Sequence, residues 1–258
     1  MADAIGAVAG LGVLAWYLSA VYVGWRLLRI GVRRDDAPAR WIGTYLFVAM
    51  GIGSILISIP TARGALGGIA MTPFDRMLVA LALACTVVGN LGILTFTRRV
   101  FRPHSAGARA FAVAVGALLV CGAIGHGFVD RFSWQLTEVS GVLYLSGTVL
   151  SNGWSAAESL RYYGLMRKRC RLGLAKPLDT NRFLLWGIGA GAAALILFAT
   201  TLELQMETFS TPERLAAVRR LSLPVMSALG LTCAGSYFFA FLPAGWYARR
   251  FAATPAAR

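Results

Sequence analysis

The sequence predicts an all-α membrane protein, a bundle of seven transmembrane helices with its N-terminus outside and its C-terminus in the cytoplasm. Three observations carry that expectation. Residues 4–25, 41–62, 77–97, 110–129, 139–157, 183–202 and 221–248 contain no Asp, Glu, Lys or Arg, and each run is close to or above the roughly 20 apolar residues a helix needs to cross a hydrocarbon core. The runs are apolar all round, whereas a soluble amphipathic helix keeps a polar face. The basic residues are also unevenly divided: nineteen of the 25 Lys and Arg fall in one set of alternate loops and the C-terminus, and six in the other. Cytoplasmic loops are the ones that retain positive charge.

The elements follow in order. Span 4–25 is preceded by Met1-Ala2-Asp3, which lacks the basic stretch of a secretory signal, so it reads as a retained span. The loop 26–40 carries Arg26, Arg29, Arg33, Arg34 and Arg40. Span 41–62 opens on Trp41, span 77–97 ends at Arg98-Arg99, and spans 110–129 and 139–157 follow. The segment 161–182 is the most basic connection. Gly173 and Pro177 break the helix leaving the fifth span, and Asp179 or Thr180 can cap the helix that enters the sixth, 183–202. Between residues 203 and 220, Ser210-Thr211-Pro212-Glu213 reads as the start of a short outer helix running to Leu221 across the mouth of the bundle. Span 221–248 completes the set, and no loop is long enough to fold separately, so residues 1–258 form a single membrane domain. Cys85, Cys121 and Cys233 lie inside spans and Cys170 in a cytoplasmic loop, which leaves no pair on the oxidising side.

The net charge of +14 and the pI near 10.6 would alone suggest a nucleic-acid binder. Confinement of the charge to alternate loops removes that reading. Anionic inner-leaflet lipid is the expected counter-ion, with Arg167, Lys168, Arg169 and Arg171 as cytoplasmic contacts for lipid or a partner.

The two halves of the chain share a pattern. Gly12-Val13-Leu14 and Gly24-Trp25 in the first span correspond to Gly141-Val142-Leu143 and Gly153-Trp154 in the fifth. Spans two and six both begin with Arg and an aromatic, Arg40-Trp41 and Arg182-Phe183, and spans three and seven both run to arginine pairs, Arg98-Arg99 and Arg249-Arg250. A duplicated three-helix unit joined by the fourth span would produce this pattern.

That plan resembles two groups, the microbial rhodopsins and the sugar-facilitator and PQ-loop transporters. The chain departs from each at the defining residue. Its only lysines are Lys168 and Lys176, so a retinal Schiff base in the seventh span is excluded, and it contains no Pro-Gln dipeptide. The segments FTRRVFRP (96–103), RLGLAKPLDTNRFLLWG (171–187) and FLPAGWY (241–247) resemble those of uncharacterised bacterial seven-helix membrane proteins. That resemblance implies a bacterial inner-membrane location and supplies no site.

Polar side chains at depth are costly in lipid and are the default functional candidates. Asn90 and Asn152 each lie roughly 20 Å along spans that run in the same direction, at about 1.5 Å per residue. With Ser236, Tyr237 and Tyr22 they define a polar layer that would either bind a ligand or bond helix to helix. His126 and Asp130, four residues apart near the outer end of the fourth span, share a helix face and would form an outer gate, a pH-sensitive pair or a helix cap. Asp75, Arg76, Arg131, Glu138 and Glu203 read as a rim of mixed charge, and Glu158 as the local partner of Arg161. Gly6 to Gly10 and Gly187 to Gly191 fit close helix packing. No spacing suits a metal site, a second haem ligand or a catalytic triad, so no cofactor, metal or enzymatic activity is expected.

Three functions remain open at this point. One is sensing a small or lipophilic ligand within the bundle and signalling to a cytoplasmic partner. Another is a small-solute facilitator, and the third an accessory or structural subunit of a membrane complex.

Overall fold

A computed structural model describes residues 2–67, 70–128, 139–209, 212–243 and 245–252. Among these residues every regular element is helical. Helix α1 (Ala2–Arg33) is followed by α2 (Ala37–Thr44), which continues through a π-helical stretch (Tyr45–Gly53) into α3 (Ser54–Gly67) as one rod. Then come α4 (Pro73–Phe101), α5 (Ala106–Phe128), α6 (Val139–Arg171), α7 (Pro177–Phe209), α8 (Pro212–Phe241) and the short α9 (Gly245–Ala252).

Five of these are long and apolar enough to cross a membrane: Ala37–Arg63, Pro73–Phe101, Ala106–Phe128, Pro177–Glu203 and Ser222–Phe241. The chain is an integral membrane protein on that ground, with large apolar side chains such as Leu18, Val88, Val113 and Phe198 exposed along its flanks. The charge-free runs predict seven such helices, and α1 and α6 are not among the five. Helix α6 has the length, but it buries Ser140, Thr148, Ser151, Asn152, Ser155 and Ser159, and these hydroxyls and amide lower its hydropathy.

Several expected boundaries shift for local reasons. Residues 161–171 are not loop: α6 runs on to Arg171, and Arg167, Lys168, Arg169 and Arg171 are exposed on its last turns. It stops at Gly173, whose φ of +70° is the left-handed conformation that glycine adopts without Cβ strain. The amide of Leu174 donates to the Arg169 carbonyl at 2.9 Å and that of Gly173 to the Cys170 carbonyl at 3.1 Å, the paired bonds of a Schellman cap. Neither Asp179 nor Thr180 caps α7. The helix starts at Pro177, the position where a missing N–H costs nothing, so Asp179 falls in the first turn and pairs with Arg182 at 3.1 Å.

The short outer helix is likewise absent as a separate element. Its start at Pro212 is correct, but α8 continues unbroken from there to Phe241, carrying Pro224 within it. The break comes at Leu242-Pro243, so Arg249 and Arg250 sit on α9 and do not end the preceding helix as Arg98-Arg99 end α4. At the start of α4, Thr72 and Asp75 form a reciprocal capping box behind Pro73.

Neighbour relations place α1 against the α2/α3 rod and α8, the π stretch against α4, α4 against α5 and α6, α6 against α7, and α7 against α8. Six rods therefore close a ring, while α5 lies outside it in the angle between α4 and α6. Within the ring, exchanging α1 with α6, the α2/α3 rod with α7, and α4 with α8 keeps every neighbour relation, whereas the contacts of α5 with α4 and α6 have no counterpart on the other side.

Glycines set the closest approaches. A Cβ on Gly24 would stand 2.8 Å from the Cα of Phe47, and one on Gly122 2.8 Å from the Cα of Tyr144, so α1 meets the π stretch, and α5 meets α6, nearly backbone to backbone. Gly187 lies against Leu160, and Gly191 beyond it against Ala156, in line with close packing of α7 on α6. At Gly10, by contrast, a Cβ would meet nothing within 4 Å among the described residues, so the close packing expected from Gly6 to Gly10 is not found there, and the side chains flanking Gly6 lie outside the described residues. Inside the ring, Val23, Leu27, Leu46, Ile93, Phe96, Trp186 and Tyr237 form the core.

Candidate functional site

The polar centre of the ring is built on the π stretch. In it the Ser54 amide reaches back to the Ala49 carbonyl, the i to i−5 spacing of a π-helix, which is rare and concentrated at functional positions. Tyr45 opens the stretch and is fully buried. Its hydroxyl donates to Oδ1 of Asn152 on α6.

Asn152 in turn donates from Nδ2 to Oδ1 of Asn90 on α4 at 3.3 Å and to the Thr148 carbonyl at 2.9 Å. Ser151 donates to the same Asn90 oxygen at 2.5 Å, and Asn90 Nδ2 donates to the Thr86 carbonyl at 2.9 Å. Both asparagines and Ser151 have no exposed surface. An amide offers two donor hydrogens and one acceptor oxygen, so the donors and acceptor of Asn152 are all engaged. This network links three rods at one depth.

One turn further along α6, Ser155 accepts a 3.0 Å hydrogen bond from Trp186 Nε1 on α7, and Ser159 donates to the Phe183 carbonyl at 2.9 Å. The Trp186 indole stands edge-on to Tyr45, Phe96 and Phe241, and tilted against Tyr237 with centroids 5.1 Å apart. Tyr237 is fully buried on α8. Its hydroxyl lies beside the Tyr45 phenol and the Cys233 thiol, yet their geometry gives it no hydrogen-bond partner. A buried hydroxyl left in that state costs roughly 1–3 kcal/mol.

The residues expected in the polar layer thus divide. Asn90 and Asn152 touch one another, and Tyr237 borders them through Tyr45. Ser236 is buried beside Tyr237 in sequence, but neighbouring helix residues point about 100° apart, and it does not join the network. Tyr22 is excluded from it: its side chain is 52% exposed and its hydroxyl accepts from Arg26 at 3.5 Å, because the inward stripe of α1 is Ala20, Val23 and Leu27. His126 is fully buried on α5. Its expected partner Asp130 lies outside the described residues, as do Arg131 and Glu138.

The expected outer rim changes character at Asp75, which is 3% exposed. Its carboxylate closes the capping box and accepts from Arg63 at 2.7 Å, so it ties the α3 end of the second rod to α4. At the opposite end Glu158 does more than pair locally with Arg161 at 3.5 Å: it also holds Arg102, at the end of α4, at 2.9 Å. On α9, the Tyr247 hydroxyl meets the Asn181 amide. Burial raises that phenol above its ordinary range, and the amide hydrogen bond opposes the shift.

Sequence reasoning missed Tyr45, Ser151, Ser155, Trp186 and the link from Glu158 to Arg102. One signal was available for α6, where Thr148, Ser151, Asn152, Ser155 and Ser159 recur at the three- and four-residue spacing of one helix face. The set provides amides, phenols and hydroxyls for orienting a polar group, and among the described residues no three His, Cys, Asp or Glu converge as metal ligands. No protein-family model, curated protein or solved structure matches the chain.

Proposed function

We propose that the chain is a seven-helix protein of a bacterial inner membrane, N-terminus outside, that binds a small or lipophilic ligand within the bundle and signals to a partner at its basic cytoplasmic face. In this reading α1 and α6 also cross the bilayer. The microbial-rhodopsin-like layout then holds without its retinal lysine. The observation that carries the reading is the Tyr237 hydroxyl, buried and unpartnered at the edge of a hydrogen-bonded network that begins on a π-helical stretch. Buried polar groups are almost always satisfied, so a ligand oxygen or nitrogen near Tyr237 is a natural complement. A π stretch holds a surplus residue in its turns, and relaxing it would rotate α2 relative to α3 and carry the signal to the basic end.

The test is to purify the protein from native membranes, denature it and search the extract by mass spectrometry for a stoichiometric small molecule. The reading expects such a compound and its loss in Tyr237→Phe. If no compound is found and Tyr237→Phe is more stable by about 1 kcal/mol, the gain expected from deleting an unsatisfied hydroxyl, the ligand-binding role fails.

A second reading, a small-solute facilitator, is favoured by the placing of α5 outside a ring of three helical rods from each half of the chain, the layout that two three-helix units joined by one helix would give. Transporters of duplicated architecture bind substrate between such halves. Uptake of labelled solutes into liposomes should then fall sharply in the Asn90→Leu, Asn152→Leu double variant, and unchanged uptake sinks it.

A further inference from the structure

Helix α5 leaves two grooves along its seam with α4, and they differ in chemistry. One, of about 330 Å³, is lined by Ala80, Leu83, Ala84, Ile124 and neighbouring apolar residues. The other, of about 660 Å³, is floored by Leu91, Ala112, Gly116 and Val120 but has Arg98 and Arg109 in its wall. Both arginines belong to the end of the bundle where α4 stops and α5 begins. Neither has an ion-pair partner among the described residues, whereas nearby Arg102 is held by Glu158 and Arg99 lies over the Trp41 ring.

The groove runs from Arg109 to Cys121, about 18 Å at 1.5 Å per residue. That is close to the depth of one leaflet, half of a hydrocarbon core about 30 Å thick. A cationic mouth on an apolar trough of leaflet length is complementary to an anionic headgroup with its acyl chain. We propose that the α4/α5 seam is a binding site for one anionic phospholipid, its phosphate held between Arg98 and Arg109 and one chain lying over Ala112, Gly116 and Val120. The site is separate from the Tyr237 network and does not depend on the ligand-sensing reading.

Native mass spectrometry of the full chain, titrated with phosphatidylglycerol or phosphatidylcholine, tests this. The intact protein should retain phosphatidylglycerol preferentially, and Arg98→Gln with Arg109→Gln should weaken retention roughly tenfold or more, given what each arginine contributes near anionic lipid. Arg33→Gln with Arg34→Gln, at exposed positions where α1 ends, should leave it within about twofold of the unaltered protein, as expected for charges outside the site. Ala117→Trp, which fills the groove from an exposed position, should lower retention with both arginines in place. Thermal unfolding confirms that each variant is folded.

Equal losses in the two double variants would reduce the effect to general surface charge and overturn the site. So would unchanged retention in Arg98→Gln with Arg109→Gln, or release of the lipid by excess glycerol phosphate. A change of oligomeric state in Ala117→Trp with lipid retention intact would assign the groove to a second copy of the chain instead.

Discussion

Helix α5 has two flanks that behave differently. Against α6 it is closed: Gly122 meets the Tyr144 backbone, and a Cβ on Gly147 would stand 2.7 Å from Leu119 Cγ. Against α4 it opens into the two grooves. Lipid tails are as apolar as leucine, so burying apolar surface does not zip a seam in a membrane. Small residues set against backbone, together with polar links, do. Helix α4 accordingly takes its links from α6, through Asn90 at mid-depth and Arg102 at the basic end, and leaves its α5 side open.

The largest expected effect tests the closed flank. Gly122→Leu forces four carbons into the Tyr144 backbone and should cost about 3 kcal/mol, read from unfolding in mixed micelles. Ala117→Leu on the open flank should stay within about 0.5 kcal/mol. Similar losses at both positions would erase the contrast.

The polar link comes next. Asn152→Leu strands the Tyr45 hydroxyl and removes a donor from Asn90, for a loss of about 2 kcal/mol. Because the two asparagines share partners, the double replacement with Asn90→Leu should cost less than the sum of the single ones. Strict additivity would mean that the two amides act independently despite their 3.3 Å contact.

The smallest effect belongs to the basic end. Arg102→Gln and Glu158→Gln, taken through a double-mutant cycle, should show a coupling of about 0.5–1 kcal/mol, since the arginine is 37% exposed and the carboxylate 13%. Raising salt to about 1 M should shrink it only in part, because screening is weaker for a partly buried pair. Complete loss of the coupling in salt would place the bridge in open solvent.

Much of the fold was legible in charge. The turns after Arg33, Phe101 and Arg171 all lie in the arginine-rich segments, where a helix leaving the apolar core meets water or headgroups. Helix ends were less legible. A helix does not stop where its apolar run ends, so α6 continues to its glycine cap and Pro212 starts a long helix where a short one was expected.

At the site, Asn90 and Asn152 stood out because amides are rare in apolar runs. Tyr45 and Trp186 did not, among 8 Tyr and 7 Trp spread through the chain. Tyr22 shows the limit of depth alone: it sits in a charge-free run but on the wrong side of its helix. The grooves were invisible in the sequence, since the same small residues close one flank of α5 and leave the other open.

The π stretch has a bearing on how this chain tolerates length changes. Because Tyr45–Gly53 winds wider than an α-helix and so holds surplus length, deletion of a residue there is absorbed in part by tightening its turns toward α-helix, and α3 turns less relative to α2 than the deletion alone would turn it. The same deletion in a regular helix such as α4 would turn everything beyond it by about 100°. The chain therefore holds, beside its buried tyrosine, a place where its length and its geometry are partly uncoupled.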